Sequence, residues 1–448
     1  MSPSPSSNSR QVVITGLGVI SPLGFDCSPQ DEAEHLIARL RDRVSGVVPL
    51  TQIPADALPI AAGAQAGGFT GDISQYGEMD KKLQRTIRKG SKVMCREIEM
   101  GVAVAQRALS DAGLTVEHRD PDRTGVIYGC DYIISLPEEY AAGIAKCMDD
   151  DGRFDFDRWG QQGRVEVNPL WLLKYLPNMP ASHIAIYNDL RGPNNSITIR
   201  EASAGAAVGE AVSTLQRGHA DALVVGSTGS RIHPLRTLHA SLQEDLASNR
   251  DDVTTMSRPF GADRDGAVVG EGAAALVLET REHAEARGAR IIGEVISAAS
   301  SAVWKPDEAP EHSFRQAFRN VYAKVAKDRP ERIGHIHAHG LGTVAMDSAE
   351  AAAIGDVFGP PDRQPPVTTA KGHFGNLGGG SGLVEAVCSL LACGENLFPI
   401  RNLDAPAADC PLNACIDESV PAGDEFVSAN ITPQGQATAV RMRRWPAD

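Results

Sequence analysis

Three histidines in alternating positions offer the clearest metal-binding chemistry in the sequence. They are His335, His337 and His339, and the period of two on a strand would place all three imidazole rings on one side. Imidazoles grouped in this way can bind zinc. The alternative is that the strand is buried in the protein interior and binds nothing. We favour this alternative and predict no metal.

The cysteines are a second set of possible metal ligands or disulfide partners. Eight cysteines in 448 residues are not typical of a disulfide scaffold. Cys388 with Cys393, and Cys410 with Cys415, resemble two zinc half-sites. A gap of five is wider than structural zinc sites use, and it places the first pair on different faces of a predicted helix. We therefore expect buried, reduced thiols and no cofactor.

Charge and composition exclude several classes of protein. A formal net charge of -14 argues against a nucleic-acid-binding surface. No apolar run approaches the roughly 20 residues that a membrane span needs. Residues 1–10 are rich in Ser, Pro and Asn, without the apolar stretch of a signal peptide. The sequence thus predicts a flexible tail over 1–10 on a cytoplasmic globular protein, with no membrane partner.

The elements that must position these residues follow an α/β pattern. Short β-branched runs alternate with helical patterns, which indicates a mostly parallel sheet covered on both faces. Residues 12–18 predict a strand that ends in a turn at its glycines. Two successive cycles predict two similar halves, residues 11–280 and 281–448. Further strands are predicted at 124–128, 222–225, 290–296, 333–338 and 437–442, and helices at 101–113, 204–217, 313–327 and 384–393.

Five ungapped stretches resemble the β-ketoacyl-acyl carrier protein synthases, or ketosynthases, of the thiolase-like superfamily. They occur in the family's order along the whole chain. The resemblance implies a five-layered αβαβα fold made of two similar halves, normally dimeric, which agrees with the two α/β cycles. The stretches are residues 12–24, 176–197, 257–279, 337–351 and 371–386.

The resemblance also assigns positions in the family's active site. Family members load an acyl chain from a carrier-protein thioester onto one cysteine, and two histidines assist decarboxylation and condensation. By this resemblance, Glu201 occupies the cysteine position and Asn376 the position of the second histidine. The retained positions are His339 for the first histidine, Lys371, and Glu350 for the acidic residue of the following helix.

Glutamate is a poor replacement for the cysteine. A carboxylate that attacks a thioester gives a mixed anhydride, which is high in energy and prone to hydrolysis. We favour the interpretation that Glu201 fills the nucleophile pocket, accepts hydrogen bonds from the helix N-terminus and pairs with Arg200. The alternative is that Glu201 is a general base, which would require a raised pKa.

Two more departures from the family pattern accompany Glu201. Asn376 can donate a hydrogen bond to a thioester oxygen but cannot shuttle a proton. His373, three residues earlier, is not expected to replace the missing histidine. Residues 431–436 match the family's Gly-Phe-Gly-Gly-Thr-Asn loop, whose phenylalanine gates the acyl tunnel. Here Pro433 and the loss of mobile glycines predict that this gating is lost.

Three functions follow from this pattern. The leading hypothesis is a non-condensing subunit that resembles the chain-length factors of polyketide systems, which usually carry glutamine at the cysteine position. It would bind acyl carrier protein and dimerise with a cysteine-bearing ketosynthase or with itself. The alternative is an acyl-thioester decarboxylase, hydrolase, dehydratase or cyclase that uses Glu201 and His339.

The third hypothesis is a scaffold for carrier proteins. Residues 81–92 form a basic helical stretch, and carrier proteins are generally acidic. A solvated surface face is the simpler account of that stretch.

Overall fold

The computed structural model describes residues 10–24, 29–53 and 58–446. The predicted flexible tail, apart from Arg10, lies outside the described residues. The strands are β1 Val12–Ile20, β2 Val47–Pro49, β3 Ala62–Ala64, β4 Thr124–Cys130, β5 Asn194–Thr198, β6 Ala222–Ser230, β7 Glu271–Thr280, β8 Gly293–Ala302, β9 His335–His337, β10 Val367–Thr368, β11 Glu425–Ile431 and β12 Gln436–Arg444. The helices are α1 Pro29–Arg41, α2 Lys81–Gly90, α3 Arg96–Asp111, α4 Glu138–Lys146, α5 Phe156–Arg158, α6 Met179–Asn188, α7 Ser203–Gln216, α8 Pro234–Gln243, α9 Arg281–Ala286, α10 Pro310–Val325, α11 Val344–Phe358, α12 Lys371–Phe374 and α13 Ser381–Ala392.

Strand pairing shows that the chain is built from two halves of the same topology. The order is β5-β4-β6-β7-β1 in the first half and β10-β9-β11-β12-β8 in the second. Read in these orders, each half begins with two parallel strand pairs and continues with two antiparallel pairs. The halves join where β1 meets β8, at Val13 opposite Glu294 and Ile14 opposite Gly293.

Helices cover the strands in five layers. α7 and α13 contact each other and strands of both halves, so they form a central helical layer. α3 and α6 lie outside the first half, and α10 and α11 lie outside the second. The predicted five-layered αβαβα fold is confirmed. β7 ends at Thr280 and β8 begins at Gly293, while the domain division at 280/281 stays a prediction.

The turn predicted at the glycines of residues 12–18 is wrong, because β1 continues to Ile20. Gly16 and Gly18 lie inside the strand, where α3 crosses it closely. A Cβ atom at Gly18 would lie 2.3 Å from the carbonyl oxygen of Val104, and one at Gly16 would lie 2.4 Å from that of Ala108. The glycines therefore permit close helix–strand packing instead of a turn.

The strand predicted at residues 290–296 was placed too early. β8 begins at Gly293 and continues through a Ser/Ala-rich segment to Ala302. That segment has little intrinsic strand propensity, and its pairing with β12 along nearly the whole length fixes its conformation. The remaining predicted strands and helices occur at their expected places with shifted ends.

The largest apolar cluster lies around the two central helices, where Val208 and Ala211 of α7 join Leu383 and Val387 of α13. Because the segments that precede these two helices carry the candidate site, the site lies at the end of a rigid core. None of the described helices is long and apolar enough to cross a membrane.

Candidate active site

Glu201 lies on the connection between β5 and α7. A short 3-10 turn, Arg200–Ala202, precedes the first residue of α7, and Glu201 is almost completely buried there. The Ser203 hydroxyl fixes this turn because it accepts a hydrogen bond from the Ile199 N–H at 2.9 Å and donates to the Cys130 carbonyl at 2.6 Å. Arg200 has a φ of 53°, in the left-handed region that side chains rarely adopt.

Two arginines and two glutamates form a closed set of ion pairs here, which we call the Arg–Glu cluster: Arg200, Glu201, Arg231 and Glu244. Arg231 binds the Glu201 carboxylate at 3.2 Å and that of Glu244 at 2.6 Å. Arg200 lies 3.6 Å from Glu201 and also pairs with Glu244. Each carboxylate is therefore shared by both guanidinium groups.

The cluster keeps Glu201 ionised. Burial alone would raise its pKa, but Arg200, Arg231 and a hydrogen bond from Asn376 together lower that pKa below the usual value. The raised pKa that a general base needs is not found. The expected pairing with Arg200 is present, but the side chains of Arg231 and Asn376, instead of the first N–H groups of α7, donate the hydrogen bonds to this carboxylate.

Asn376 bonds directly to Glu201. Its Nδ2 donates to Glu201 Oε1 at 3.0 Å. Its Oδ1 accepts hydrogen bonds from the Gly378 N–H at 3.0 Å and from the Ser381 hydroxyl at 3.2 Å. Asn376 thus supplies a hydrogen bond to Glu201 Oε1, whereas Glu201 Oε2 accepts none within the described part of the chain. The donors on the Asn376 oxygen fix the orientation of its amide.

His339 follows β9 and is held through its backbone N–H by Glu350 and through one ring nitrogen by Asn430. Its Nδ1 donates to Asn430 Oδ1 at 2.9 Å, while its Nε2 has no hydrogen-bond partner within the described part of the chain. Burial and, to a smaller extent, the charge of Lys371 lower the pKa of His339 well below its usual value. The imidazole is therefore neutral, with a lone pair on Nε2.

Lys371 belongs to a buried polar network that sequence reasoning did not find in full. Its Nζ donates to Glu385 Oε1 at 2.5 Å and to Asn430 Oδ1 at 3.2 Å, and Asn430 Nδ2 donates to Glu385 Oε2 at 3.0 Å. A single glutamate in the apolar helix pattern of α13 was the available signal for Glu385. Nothing in the local sequence marks Asn430.

Glu350 supports the backbone of the histidine motif. Its carboxylate accepts hydrogen bonds from the His339 N–H at 2.7 Å, the Gly340 N–H at 2.9 Å and the Tyr322 hydroxyl at 2.7 Å. Burial raises the pKa of Glu350 to about 7. Its contacts make it a positioning residue for His339.

His373 is held away from Glu201. Its Nδ1 and Nε2 each lie 3.1 Å from a backbone carbonyl, of Val44 and Pro399 respectively. Burial lowers the pKa of His373 to about 4, so the neutral ring donates to one carbonyl only. These contacts fix the ring on the backbone of two other segments, and the expectation that His373 does not replace the family's second histidine stays a prediction.

The other two histidines of the alternating set share one hydroxyl. His335 Nε2 and His337 Nδ1 lie 2.9 and 2.8 Å from Ser389 Oγ, and His337 Nε2 accepts a hydrogen bond from the Ala370 N–H at 3.1 Å. Across the described residues, no group of three or more His, Cys, Asp or Glu side chains is arranged to hold a metal ion. The cysteines that the structure describes are free.

The family follows from comparison with known proteins. The models for the β-ketoacyl synthase N-terminal and C-terminal domains match residues 9–284 and 289–402. The 3-oxoacyl-[acyl-carrier-protein] synthase 2 of Synechocystis sp. is 32% identical, over 90% of each chain. The protein of the same name from Coxiella burnetii is 32% identical, over 92% of each chain. The chain belongs to the β-ketoacyl synthase family.

Solved structures of ketosynthases share the fold of this family member. A β-ketoacyl synthase from Burkholderia phymatum has a TM-score of 0.81 at 24% identity. The ishigamide ketosynthase/chain length factor has a TM-score of 0.78 at 24% identity. Each match covers 98% of this chain and all of the other. The protein is thus a ketosynthase-like member of a family that serves fatty acid and polyketide biosynthesis.

Residues 431–436, for which the resemblance predicts the family's gating loop, form a compact hairpin turn between β11 and β12. The Thr432 N–H donates to the Gln436 carbonyl, and the Gly435 N–H donates to the Thr432 carbonyl, both at 2.9 Å. Gly435 has a φ of 76°, and a Cβ atom there would lie 2.2 Å from the Val303 carbonyl oxygen. The turn is closely packed, and the loss of gating stays a prediction.

Proposed function

We propose that this protein is a non-condensing, chain-length-factor-like subunit that pairs with a cysteine-bearing ketosynthase. The observation that carries the proposal is that Glu201, which the family resemblance assigns to the nucleophile position, is a buried carboxylate bound by Arg231 and Asn376. A carboxylate in this state offers no thiolate for covalent acyl loading, so condensation would require a second subunit.

The contacts of the other site residues support the loss of condensation. Both polar atoms of the Asn376 amide are used, one on Glu201 and the other on donors of its own loop. These contacts tie the Asn376 amide to Glu201 and to its own loop. The alternative acid/base enzyme, built on Glu201 and His339, receives less support because a carboxylate with a lowered pKa is a weak base.

The surface around β5 supports association with a second subunit. β5 is the last strand of its half, and within the described chain it pairs only with β4. An unpaired edge strand can bind another strand. Large apolar side chains are exposed in the segment between β4 and β5, for example Phe156 at 74% and Ile186 at 71%. Several exposed apolar side chains within one segment favour a protein partner.

The surface of α2 supports an acidic carrier protein as the second partner. Asp80 caps this helix by accepting hydrogen bonds from the Lys82 and Leu83 N–H groups. The helix and the turn after it present basic side chains to solvent in a chain whose net charge is negative. The exposed cations are Lys81, Lys82, Arg85, Arg88, Lys89 and Lys92.

Co-production with a cysteine-bearing ketosynthase encoded in the same genome tests the pairing. We expect a 1:1 complex by native mass spectrometry and size-exclusion chromatography. The complex should extend a primed acyl chain with malonyl-carrier protein, and this chain by itself should not. Elongation by the isolated chain, or a stable homodimer that ignores every ketosynthase produced beside it, would contradict the proposal.

Charge reversal tests the carrier surface separately. We expect the double variant Arg88→Glu/Lys89→Glu to weaken carrier binding by about tenfold at low salt. The matched control is Lys324→Glu/Lys327→Glu, which changes exposed lysines of the second half by the same charge. If both variants bind the carrier protein with equal affinity, α2 is a solvated surface face and does not bind the carrier.

A further inference from the structure

The Arg–Glu cluster has an inner and an outer pair. The side chains of Glu201 and Arg231 are 2% and 3% exposed and form the inner pair, whereas those of Glu244 and Arg200 are 10% and 15% exposed and form the outer pair. The contacts of Arg231 with Glu244 and of Arg200 with Glu201 cross-link the two pairs. The outer pair thus lies between the inner pair and the protein surface.

A surface cleft reaches Glu244 of the outer pair. The cleft has a volume of about 550 Å³, and Glu244 lines it together with Ser241, Asp265 and Val344. Val344 is the first residue of α11, just beyond the loop that carries His339. Glu244 therefore borders the cleft on one side and binds the guanidinium groups that hold Glu201 on the other.

We propose that Arg200 and Glu244 form a closed ionic gate between this cleft and Glu201, which excludes acyl thioesters from the chain's own nucleophile position. The inference rests on the proposed function and adds to it the residues that prevent substrate entry. The loss of condensing activity would then have two causes, the exchange of the nucleophile and the blocked entry of the substrate.

The geometry explains why this gate stays closed. Each of the four charged side chains lies beside two of opposite charge. If one side chain moves away, two buried partners each lose one of their two counter-charges, which is unfavourable. Arg200 also holds a left-handed backbone conformation, with φ at 53°. Such a conformation persists in a non-glycine residue only when surrounding contacts hold it. Here the ion pairs of Arg200 with Glu201 and Glu244 provide those contacts.

A cysteine at residue 201 can report whether the path is open. The thiol would lose its proton, and the resulting thiolate would attack the thioester carbonyl of octanoyl-coenzyme A, which forms an acyl–cysteine thioester bond and breaks the bond between the acyl group and coenzyme A. Coenzyme A leaves as a thiolate and takes up the proton that the cysteine lost. Glu201→Cys retains the outer pair, and Arg200→Gly/Glu201→Cys/Glu244→Ala removes it. Glycine suits the left-handed φ at residue 200. The triple variant leaves Arg231 beside the new thiolate, so the buried charges stay balanced.

The measurement is acyl loading at residue 201, followed by peptide mass spectrometry. We expect the triple variant to load at least about tenfold faster than Glu201→Cys. Iodoacetamide labelling after unfolding should be equal in both, which shows that the thiol is present. A second variant is available if the triple variant does not fold. Glu201→Cys/Glu244→Gln keeps the shape of residue 244 but breaks the outer ion pair, and it should also load faster than Glu201→Cys.

Two results would overturn the gate. One is loading of Glu201→Cys as fast as that of the variants without the outer pair. The other is no loading of any variant while iodoacetamide alkylates residue 201 in the folded protein, because the barrier would then lie elsewhere. Either result leaves the proposed function standing if the wild-type chain still pairs with a ketosynthase and does not condense.

Discussion

Replacement of Arg231 by methionine should destabilise the protein strongly. The Arg231 side chain is 3% exposed and binds the carboxylates of Glu201 and Glu244 at once. Without it, two buried carboxylates share the single guanidinium of Arg200. Removal of one partner from a buried ion pair typically costs about 3–5 kcal/mol, because a charge is left without compensation. We therefore expect Arg231→Met to lower the free energy of unfolding by about 3–5 kcal/mol.

A charge-balanced partner variant separates this cause from lost packing. Arg231→Met/Glu201→Gln removes one positive and one negative charge. The Gln side-chain oxygen can still accept the hydrogen bond from Asn376. Because replacement of a whole buried ion pair by groups of similar volume is often close to neutral, the double variant should recover at least about half of the stability that the single variant loses.

The pH dependence gives an independent check on the charge of Glu201. Its folded-state pKa lies below the usual 4.5, so the stability that it contributes is present above that value and is lost as the pH falls below it. The stability difference between wild type and Glu201→Gln should therefore be constant near neutral pH and should shrink as the pH falls below about 4.5.

Urea denaturation at equal protein concentration, followed by tryptophan fluorescence, would measure all three variants. The reasoning is refuted if Arg231→Met is as stable as wild type, or if the double variant is no more stable than the single one. A difference for Glu201→Gln that grows as the pH falls would refute the ionised state of this carboxylate.

Three further predictions concern the surroundings of the site. Because the Glu350 pKa is raised from 4.5 to about 7, wild type should lose stability as the pH rises through this range, and melting curves should show that Glu350→Gln weakens this dependence, with Asp347, whose pKa is raised to about 6, contributing to the remainder. Ser389→Ala leaves two buried imidazole nitrogens without a partner and should cost about 1–3 kcal/mol in urea denaturation without changing subunit pairing, whereas an unchanged midpoint would contradict the shared hydrogen bonds. Gly18→Ala should destabilise by about 1–3 kcal/mol, because its Cβ would lie 2.3 Å from the Val104 carbonyl oxygen; Gly67→Ala, whose Cβ meets nothing within 4 Å, is the control, and equal melting temperatures would contradict the close packing.

Much of the fold could be predicted because the relevant signals are local. The alternation of short buried strands with helical patterns indicated two α/β cycles, and motif spacing located the segments that carry Glu201, His339 and Asn376. β8 was predicted poorly, since its Ser/Ala-rich part becomes a strand through pairing with β12. The glycines of β1 were misinterpreted as a turn. Glycine is favoured both in turns and where a helix packs closely on a strand, and the sequence alone does not distinguish the two.

The contacts of the site depend on residues far apart in the sequence. Arg231 is 30 residues from Glu201, on the far side of α7 and β6, and no local pattern relates the two. Asn430 has a similar relation to Lys371, at a separation of 59 residues. Pairing with Arg200 could be expected because it is the adjacent residue, but the second guanidinium and the shared Glu244 required the three-dimensional structure.

The pairing of β1 with β7 has a consequence for the folding of the chain while the ribosome makes it. Val12 lies opposite Thr280, so the first strand has no antiparallel neighbour from its own half until about 270 more residues have left the ribosome. At roughly 5–20 residues per second, this interval lasts on the order of 15–50 s. Throughout it, both edges of a strand of mostly apolar residues remain unpaired, which predicts a need for chaperone protection during translation and slow refolding in vitro.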